Sequence, residues 1–526
     1  MSSLSAFLPN PNPNLKLLHS HNFNLSSVPS WKHKSTSSKS PFSVSCSSSS
    51  HTYDVVIVGA GVIGLTIARH FLLSSDLSVA IVDKAVPCSG ATGAGQGHLW
   101  MINKTPGSAT WDLARRSHQL WTTLAQSLEE QGLDPIVELG WKKSGSLLIG
   151  RSDAESDMLK GRVKQLCEAG LKAEYLSSTD LFKEEPDLLV DQDSAAAFLP
   201  VDCQLDAHRT VEYIEKANRN FASEGRYAEF YNDPVKCFIR SDGNGEVKAV
   251  QTFKNTLHSK KAVIVAAGCW TGGLIHDLFK SWGMELHVPV RPRKGHLLVL
   301  QNFNFLALNH GVMEADYLNH PTISGLESSD CEKDLSVSMV ASIDTAGNLL
   351  LGSSREFVGF NTDLDESVVS YMWRRVGEFF PKLKTISLSD LNASTKVRIG
   401  LRPYMPDGKP VIGPVPGLSN VYIAAGHEGS GLSLVSSHFS DTYYFPTVAI
   451  CIPIFLPALI LNVSFTFGMA NLEAECKTAF QIEEKVFSDY GENFQALGTA
   501  EMIVEMVLGH QGKVDTAPFA VQQALG

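Results

Sequence analysis

A strand–glycine–helix segment near residue 53 constrains this chain more than any other feature. A continuous apolar run at residues 55–58 predicts a buried parallel strand, and a periodic apolar stretch at residues 65–73 predicts a helix. Between them stand the glycines of a G-x-G-x-x-G motif: Gly59, Gly61 and Gly64. In a dinucleotide-binding unit these glycines make the tight turn, let a pyrophosphate approach the backbone and let the helix pack on the strand. The segment therefore predicts a nucleotide site at the helix N-terminus.

The residues that follow extend this predicted site. A second apolar strand at residues 79–82 ends on Asp83, a carboxylate placed to accept hydrogen bonds from the ribose hydroxyls of adenosine, and Lys84 comes next. The glycine-rich stretch 89–98 suits backbone contacts with the second half of an extended dinucleotide, and the strand-into-glycine pattern recurs at residues 263–268. From these two stretches we assign to the cofactor Ala91, Thr92, Gly95, Gln96, Gly97, Ala267 and Gly268.

Charge and cysteine usage exclude several other classes of protein. The net charge of -11 and the pI near 5.9 argue against nucleic acid as the main partner. The nine cysteines include no C-x-x-C pair, so they predict neither a zinc site nor a disulfide framework. We expect no metal.

The first 52 residues differ in composition from the rest of the chain. They contain no Asp or Glu, are rich in serine and lack the continuous apolar segment of a secretory signal. This composition predicts a disordered transit peptide, and the scarcity of arginine favours a plastid over a mitochondrion. A plain disordered tail is the alternative interpretation.

The most specific signature is RIGLRPYMPDGKPVIGPVPGLSNVYIAAGHEGSGLSL at residues 398–434. Together with the glycine motif and the segment VIVAAGCWT, it resembles the D-amino acid oxidase, glycine oxidase and sarcosine oxidase family of flavoproteins. The resemblance covers residues 53–434 and resumes at Ala496. It implies FAD and an α/β fold, in which a Rossmann-like FAD-binding domain of the glutathione-reductase type carries an inserted α+β substrate domain with a mixed sheet.

The resemblance also implies individual site residues. The arginine of G-L-R-P, Arg402, matches the family residue that pairs with the substrate carboxylate, a task suited to a planar guanidinium; a structural ion pair is the alternative. Tyr317 is a candidate to cap the substrate. Arg291, Arg293 and Lys294 begin a strand that in the family runs between the two domains, and Lys294 with Gly295 is a candidate near the flavin.

The end of the signature is expected to face the pyrimidine side of the flavin. A strand at residues 420–425 turns at Gly426 into a helix that starts near Gly429, Ser430 and Gly431, where a helix N-terminus can stabilise negative charge. His427 is expected to make a hydrogen bond rather than to act as a base. Glycine oxidases have an arginine in this segment that is missing here, and no cysteine stands near the arginine motif, so FAD is expected to be non-covalent.

These assignments predict a discontinuous domain organisation. The FAD-binding domain is expected at residues 53–140, 198–285 and 396–434 plus 496–510, and the substrate domain at 141–197 and 286–395. Residues 511–526 are expected to form a C-terminal tail.

Residues 435–495 interrupt the family pattern and are predicted to be foreign to the enzyme. Removing them restores one amphipathic helix, and Val435-Ser436 and Phe494-Gln495 can be encoded by GTAAGT and TTTCAG, the borders of a spliceosomal intron. The rival interpretations are a membrane anchor at residues 447–469, weakened by Pro453 and Pro457, and an ordinary surface insertion. A membrane association is therefore not expected.

Three functions remain open on the sequence. The first is an FAD-dependent oxidase or dehydrogenase that oxidises the C–N bond of a small amine, amino acid or imino acid by hydride transfer, with oxygen or another acceptor. The second is a flavin-binding assembly or scaffold protein with little turnover. The third is an enzyme that modifies amines on a macromolecule, against which the acidic balance counts. Substrate identity and oligomeric state stay open.

Overall fold

A computed structural model of the chain describes residues 49–241, 246–280, 282–283, 286–319, 335–391, 394–435, 499–509 and 519–521. Most of the predicted transit peptide (1–52) and of the C-terminal tail (511–526) lies outside these residues. The same is true of the predicted insertion (435–495), including the apolar stretch at 447–469. Among the described residues, no helix combines the length and apolarity needed to cross a bilayer.

Strands and helices alternate along the first part of the chain and strands dominate later. The strands are β1 (Ser49–Val58), β2 (Val79–Val82), β3 (His98–Leu99), β4 (Ser146–Gly150), β5 (Glu174–Leu176), β6 (Ala195–Leu199), β7 (Cys203–Gln204), β8 (Tyr227–Phe230), β9 (Val235–Arg240), β10 (Val247–Thr252), β11 (Asn255–Val265), β12 (Arg291–Leu300), β13 (Gly311–Glu314), β14 (Ser336–Ile343), β15 (Leu349–Arg355), β16 (Thr395–Tyr404), β17 (Val411–Pro414) and β18 (Val421–Ala425). The helices are α1 (Val62–Ser74), α2 (Ala91–Ala94), α3 (Trp111–Glu130), α4 (Pro135–Leu139), α5 (Asp153–Glu168), α6 (Ser178–Glu184), α7 (Ala207–Arg219), α8 (Thr271–Lys280), α9 (Glu366–Gly377), α10 (Pro381–Lys384), α11 (Gly431–Leu434) and α12 (Thr499–Leu508).

The first sheet carries the glycine motif. Its strands run in the order β17-β18-β11-β1-β2-β8, with β10 added to β11 and β9 added to β10. Strands β18, β11, β1, β2 and β8 are parallel. Val55 and Ile57 pack with α1, whereas Val56 and Val58 pack with α8 on the other face. Burial on both faces explains why these strands are continuously apolar.

The second sheet is mixed, as predicted. Its order is β16-β12-β15-β14-β13-β4-β6-β5, in which β13 and β4 are parallel and the other pairs are antiparallel. Helices α9 and α10 cover one face with apolar residues such as Met372 and Leu383. The two sheets confirm the predicted fold, a Rossmann-like domain with an inserted mixed-sheet domain.

Two predicted boundaries differ from the structure. Strand β1 begins at Ser49 rather than at Tyr53, because residues 49–52 pair through their main chain with residues 255–258 of β11, which needs no apolar side chains. The expected return to the FAD-binding domain at residue 396 is wrong, since β16 pairs along its whole length with β12 of the second sheet. The chain rejoins the first sheet at β17.

Candidate functional site

A cavity of about 810 Å³ lies where the carboxyl ends of the parallel strands meet one face of the second sheet. Val58, Val82 and Val265, the last residues of β1, β2 and β11, are in register, so the turns that follow them share one edge. Ligands of open α/β sheets bind at such an edge. The volume falls in the upper part of the range of about 300–1,000 Å³ typical of ligand pockets.

The turn after β1 is built around Gly59 and Asp83. Gly59 has a φ of 119°, and a Cβ on it would lie 2.8 Å from the carbonyl carbon of Ala266, so only glycine fits. Asp83 accepts hydrogen bonds from the backbone N–H of Ala60 at 2.7 Å and from that of Ala85 at 2.8 Å. These bonds orient the carboxylate at the cavity wall, where its remaining lone pairs can accept from ribose hydroxyls.

The structure brings most of the predicted cofactor residues together. Those that line the cavity are Gly59, Gly61, Asp83, Lys84, Ala91, Thr92, Gly95, Gln96, Gly97, Ala267, Gly268, Gly429, Ser430 and Gly431. Gly64 is not among them and packs behind Gly59, and Gly426 packs against Met405. The Lys84 ammonium lies 3.4 Å from the ring centroid of Trp270, another cavity residue.

The segment after β18 also lines the cavity. A 3₁₀ turn at Glu428–Ser430 leads into α11. His427 hydrogen-bonds through Nε2 with Oγ1 of Thr499 at 3.1 Å, and burial lowers the pKa of His427 to about 3. His427 is therefore neutral and engaged, which fits a hydrogen-bonding role and not that of a base.

Arg402 occupies a space left by a glycine on the neighbouring strand. A Cβ on Gly295 would lie 2.5 Å from Cζ of Arg402. The guanidinium donates from Nη1 to the carbonyl oxygen of Ser354 at 2.8 Å. In the described part of the chain, no salt bridge joins Arg402 to a carboxylate. Burial, and then the charge of Arg355, lower the pKa of Arg402 to about 9. The structural ion pair considered as its alternative role is thus absent from the described residues.

Tyr317 lies in the same cavity, in the 3₁₀ turn Ala315–Asn319. The Arg355 guanidinium lies 4.3 Å from the centroid of its ring. Burial raises the pKa of Tyr317, but the charges of Arg355, Arg402 and Lys104 outweigh burial, so the net direction is downward. The phenol therefore stands in a strongly positive environment.

The strand that contains Lys294 and Gly295 divides its residues between two faces. Gly295 lines the cavity, whereas Lys294 is not part of the lining. The Lys294 ammonium lies 3.4 Å from the carboxylate of Glu356 and donates to the carbonyl oxygen of Asp363 at 2.7 Å. Arg291 is exposed, and Arg293 forms an ion pair with Glu428.

The cavity residues that were not assigned from the sequence include His98, Trp100 and Lys104. The rings of His98 and Trp100 are stacked with centroids 3.8 Å apart, and burial lowers the pKa of His98 to about 3. The Lys104 ammonium donates to Oγ of Ser430 at 2.7 Å. His98 ends the glycine-rich stretch and was within reach of sequence reasoning, but no motif surrounds Lys104.

The cavity residues suit FAD. The glycine turn, the oriented Asp83, the small residues of the stretch 89–97 and residues 429–431 all line the cavity. Arg402 and Tyr317 line the same cavity, so a dinucleotide bound there would share it with them. The site thus has room for a cofactor and for a small substrate with a carboxylate.

Comparison with known proteins agrees with this geometry. A model of the family described as FAD dependent oxidoreductase (DAO) matches residues 54–437. The chain is similar to the glycine oxidase of Pseudomonas aeruginosa, with 27% identity over 390 residues that cover 72% of this chain and 91% of that protein. It is 24% identical over 419 residues to the hydrogen cyanide synthase subunit HcnC of the same organism, covering 72% of this chain and 89% of that protein. The solved glycine oxidase from Geobacillus kaustophilus has the same fold, with a TM-score of 0.64 at 20% identity over 90% of this chain and 100% of that chain.

Proposed function

Because this chain belongs to the family of FAD-dependent oxidoreductases, we propose that it oxidises the C–N bond of a small amino or imino acid. One observation carries the proposal. Arg402, a partly buried guanidinium that makes no salt bridge to a carboxylate among the described residues, lines the same cavity as the dinucleotide turn. A carboxylate-bearing substrate would complete its hydrogen bonds beside the cofactor.

The residues of the cavity would bind and orient the substrate. The guanidinium of Arg402 would hold the carboxylate through two parallel hydrogen bonds, which fixes the position of the adjacent α-carbon. Tyr317 would cover the substrate and help to exclude water. Bound FAD supplies the acceptor for the hydride of the α-carbon, so the amine loses two electrons and one N–H proton and leaves as an imine that water hydrolyses.

The charge of the cavity favours the form of the substrate that reacts. Hydride transfer requires a neutral amine, and the positive groups Arg402, Arg355 and Lys104 disfavour an ammonium ion in their midst. His98 and His427 have pKa values of about 3, so neither is a suitable base at neutral pH. The amine would therefore lose its proton to solvent on binding.

The similarity to glycine oxidase supports a small amino acid as substrate. The decisive experiment is an anaerobic titration of the FAD-loaded protein with glycine, sarcosine, D-amino acids and L-proline while the flavin absorbance is followed. One class should bleach the flavin band, and admission of air then distinguishes an oxidase from a dehydrogenase. Bound FAD that no amine reduces would contradict the proposal and favour an assembly or scaffold role.

The acid-free, serine-rich leader supports delivery to a plastid. Residues 1–52 fused to a fluorescent protein should direct it to plastids of plant cells and be removed on import. A signal in mitochondria would select the alternative organelle, and a diffuse signal would contradict a transit peptide.

A further inference from the structure

Three arginines lie on the side of the second sheet that faces the cavity; we call Arg293, Arg355 and Arg402 the arginine cluster. Side chains alternate between the two faces of a strand. On β12, Arg293 therefore shares a face with Gly295 and Leu297, both of which line the cavity. The three residues come from three neighbouring strands, β12, β15 and β16.

The same alternation places the other two members of the arginine cluster. Arg355 shares its face of β15 with Ser353, and Arg402 shares its face of β16 with Gly400; Ser353 and Gly400 line the cavity. Arg293 and Arg402 are direct cross-strand partners. Like charges in that arrangement destabilise a sheet, and burial adds to the cost, so the cluster needs an anion.

The described residues supply a carboxylate partner for only one member of the arginine cluster. Glu428 forms an ion pair with Arg293. Arg355 is 8% exposed and is not itself part of the cavity lining, but it stacks on and hydrogen-bonds Tyr317, which is. Among the described residues, Nη1 of Arg355 has no hydrogen-bond partner. Lys104, on the cavity wall, donates to the uncharged hydroxyl of Ser430. Among the described residues, neither Arg355 nor Lys104 forms a salt bridge with a carboxylate; the charge of Asp202 acts on Lys104, but the two are not paired. Once Arg402 has received one substrate carboxylate, the pair Arg355 and Lys104 can therefore still receive a second one.

We propose that the substrate carries a second acidic group, so that its class is an amino or imino dicarboxylate. The first carboxylate binds Arg402, and the second binds Arg355 and Lys104 beside Tyr317. The assignment rests on the proposed function, because it takes the α-carboxylate at Arg402 as given. A monocarboxylate such as glycine would leave the second cationic position without a partner.

Binding of unreactive acids tests the charge of the cavity without any turnover. The full chain, supplied with FAD, is titrated with succinate or glutarate and with butyrate or valerate of the same chain length, and the flavin spectrum reports binding. The better diacid should bind about tenfold to a hundredfold more tightly than its monoacid, the range expected for one additional charged hydrogen bond. Equal affinities would overturn the proposal.

Variants locate the second acidic group. Arg355→Met and Lys104→Met should each reduce the preference for the diacid toward one, whereas Arg355→Lys should keep most of it. The matched control is Arg374→Met, which removes an exposed guanidinium that also lies over a tyrosine ring, 4.7 Å from the centroid of Tyr371. It should keep the full preference. A diacid preference that survives in both Arg355→Met and Lys104→Met would overturn the assignment. If the methionine variants do not fold, the wild-type protein decides the matter, because equal affinities for diacid and monoacid overturn the proposal.

Reactive pairs separate this inference from the proposed function. Iminodiacetate is compared with sarcosine, and D-aspartate with D-asparagine, as reductants of the flavin without oxygen. Faster reduction by the diacid supports both conclusions. Reduction by the monoacids with no preference for the diacids overturns the inference and leaves the function intact. Tight binding of diacids with no reduction by any amine overturns the function and leaves the charge assignment intact.

Discussion

Thr499 donates a hydrogen bond of 2.8 Å from its Oγ1 to the carbonyl oxygen of Leu434, although the two residues are 65 positions apart. Leu434 is the last residue of α11, and Thr499 is the first of α12. The carbonyl oxygen of Leu432 is likewise satisfied by a side chain, the indole N–H of Trp121 at 2.9 Å. The segments that end at Leu434 and begin at Thr499 therefore meet at one point. There, side chains satisfy carbonyl oxygens that a continuous helix would satisfy with backbone N–H groups.

We predict that deletion of residues 435–495 produces a protein that binds FAD more tightly. Joining Leu434 to Ala496 would restore the helical N–H donors that α11 lacks. Leaving one buried carbonyl without such a donor costs about 1–3 kcal/mol, so restoring them should raise FAD affinity about tenfold or more. The measurement is FAD binding by fluorescence quenching, beside the thermal midpoint. A deletion variant that is less stable and loses FAD would show that the segment belongs to the enzyme.

Transcript sequencing provides an independent check of the prediction that residues 435–495 are a retained intron. An alternative transcript that lacks codons 435–495 is expected, with intron borders at Val435-Ser436 and Phe494-Gln495. The family match ends at residue 437, next to the first border. Coding sequence without interruption across both borders in every transcript would remove the explanation.

The second prediction is that FAD is bound without a covalent bond. No cysteine stands near the arginine motif. Two thiols, Cys88 and Cys269, lie next to the cavity turns. Burial raises the pKa of each to about 12, so both are unreactive. Acid precipitation of the purified protein should release all flavin absorbance into the supernatant. Yellow colour retained in the washed pellet would contradict this.

The third prediction concerns Arg402→Lys. An ammonium keeps the charge but loses the two parallel hydrogen bonds, so KM for the best substrate should rise about tenfold to a hundredfold while FAD affinity stays the same. Steady-state kinetics and FAD titration measure the two effects separately. An unchanged KM would place the substrate carboxylate elsewhere.

The fourth prediction tests the space that Gly295 provides. Gly295→Ala should force the Arg402 guanidinium to move, because the new methyl group would occupy its position. We expect KM to rise about tenfold, since misplacing a positioning group by about 1 Å costs on that order or more. The control is Gly161→Ala in α5, where a Cβ meets nothing within 4 Å and should add slightly to stability. Equal kinetics for both variants would show that Arg402 does not need this space.

The fifth prediction is a pH dependence of carboxylate binding. A guanidinium binds a carboxylate only when protonated, and the pKa of Arg402 is lowered to about 9, so affinity should be full below that pH and fall as the pH rises through it. A carboxylic acid without an amine, titrated into the FAD-loaded protein, measures this directly. Because His98 and His427 have pKa values of about 3, neither should cause an inflection near 6.5. Affinity that stays constant well above pH 9 would contradict the lowered pKa.

The nucleotide half of the cavity could be predicted from the sequence in detail. Its strand, glycines, helix and Asp83 follow each other within about thirty residues, and each has a local backbone requirement that leaves a mark in the sequence. Gly59, for example, adopts a φ that other residues avoid. The structure places these predicted positions at the cavity, apart from Gly64, which packs behind Gly59.

The substrate half depended on pairing between distant strands. The sequence by itself singled out Arg402, through a family motif, but gave no reason to connect it with Arg355 or Lys104. Arg293 and Arg402 become neighbours because β12 pairs with β16, and Arg355 joins them because β15 lies on the other side of β12. Sheet order and register are set by how the two layers bury their apolar faces, so only the tertiary structure decides which charges share a cavity.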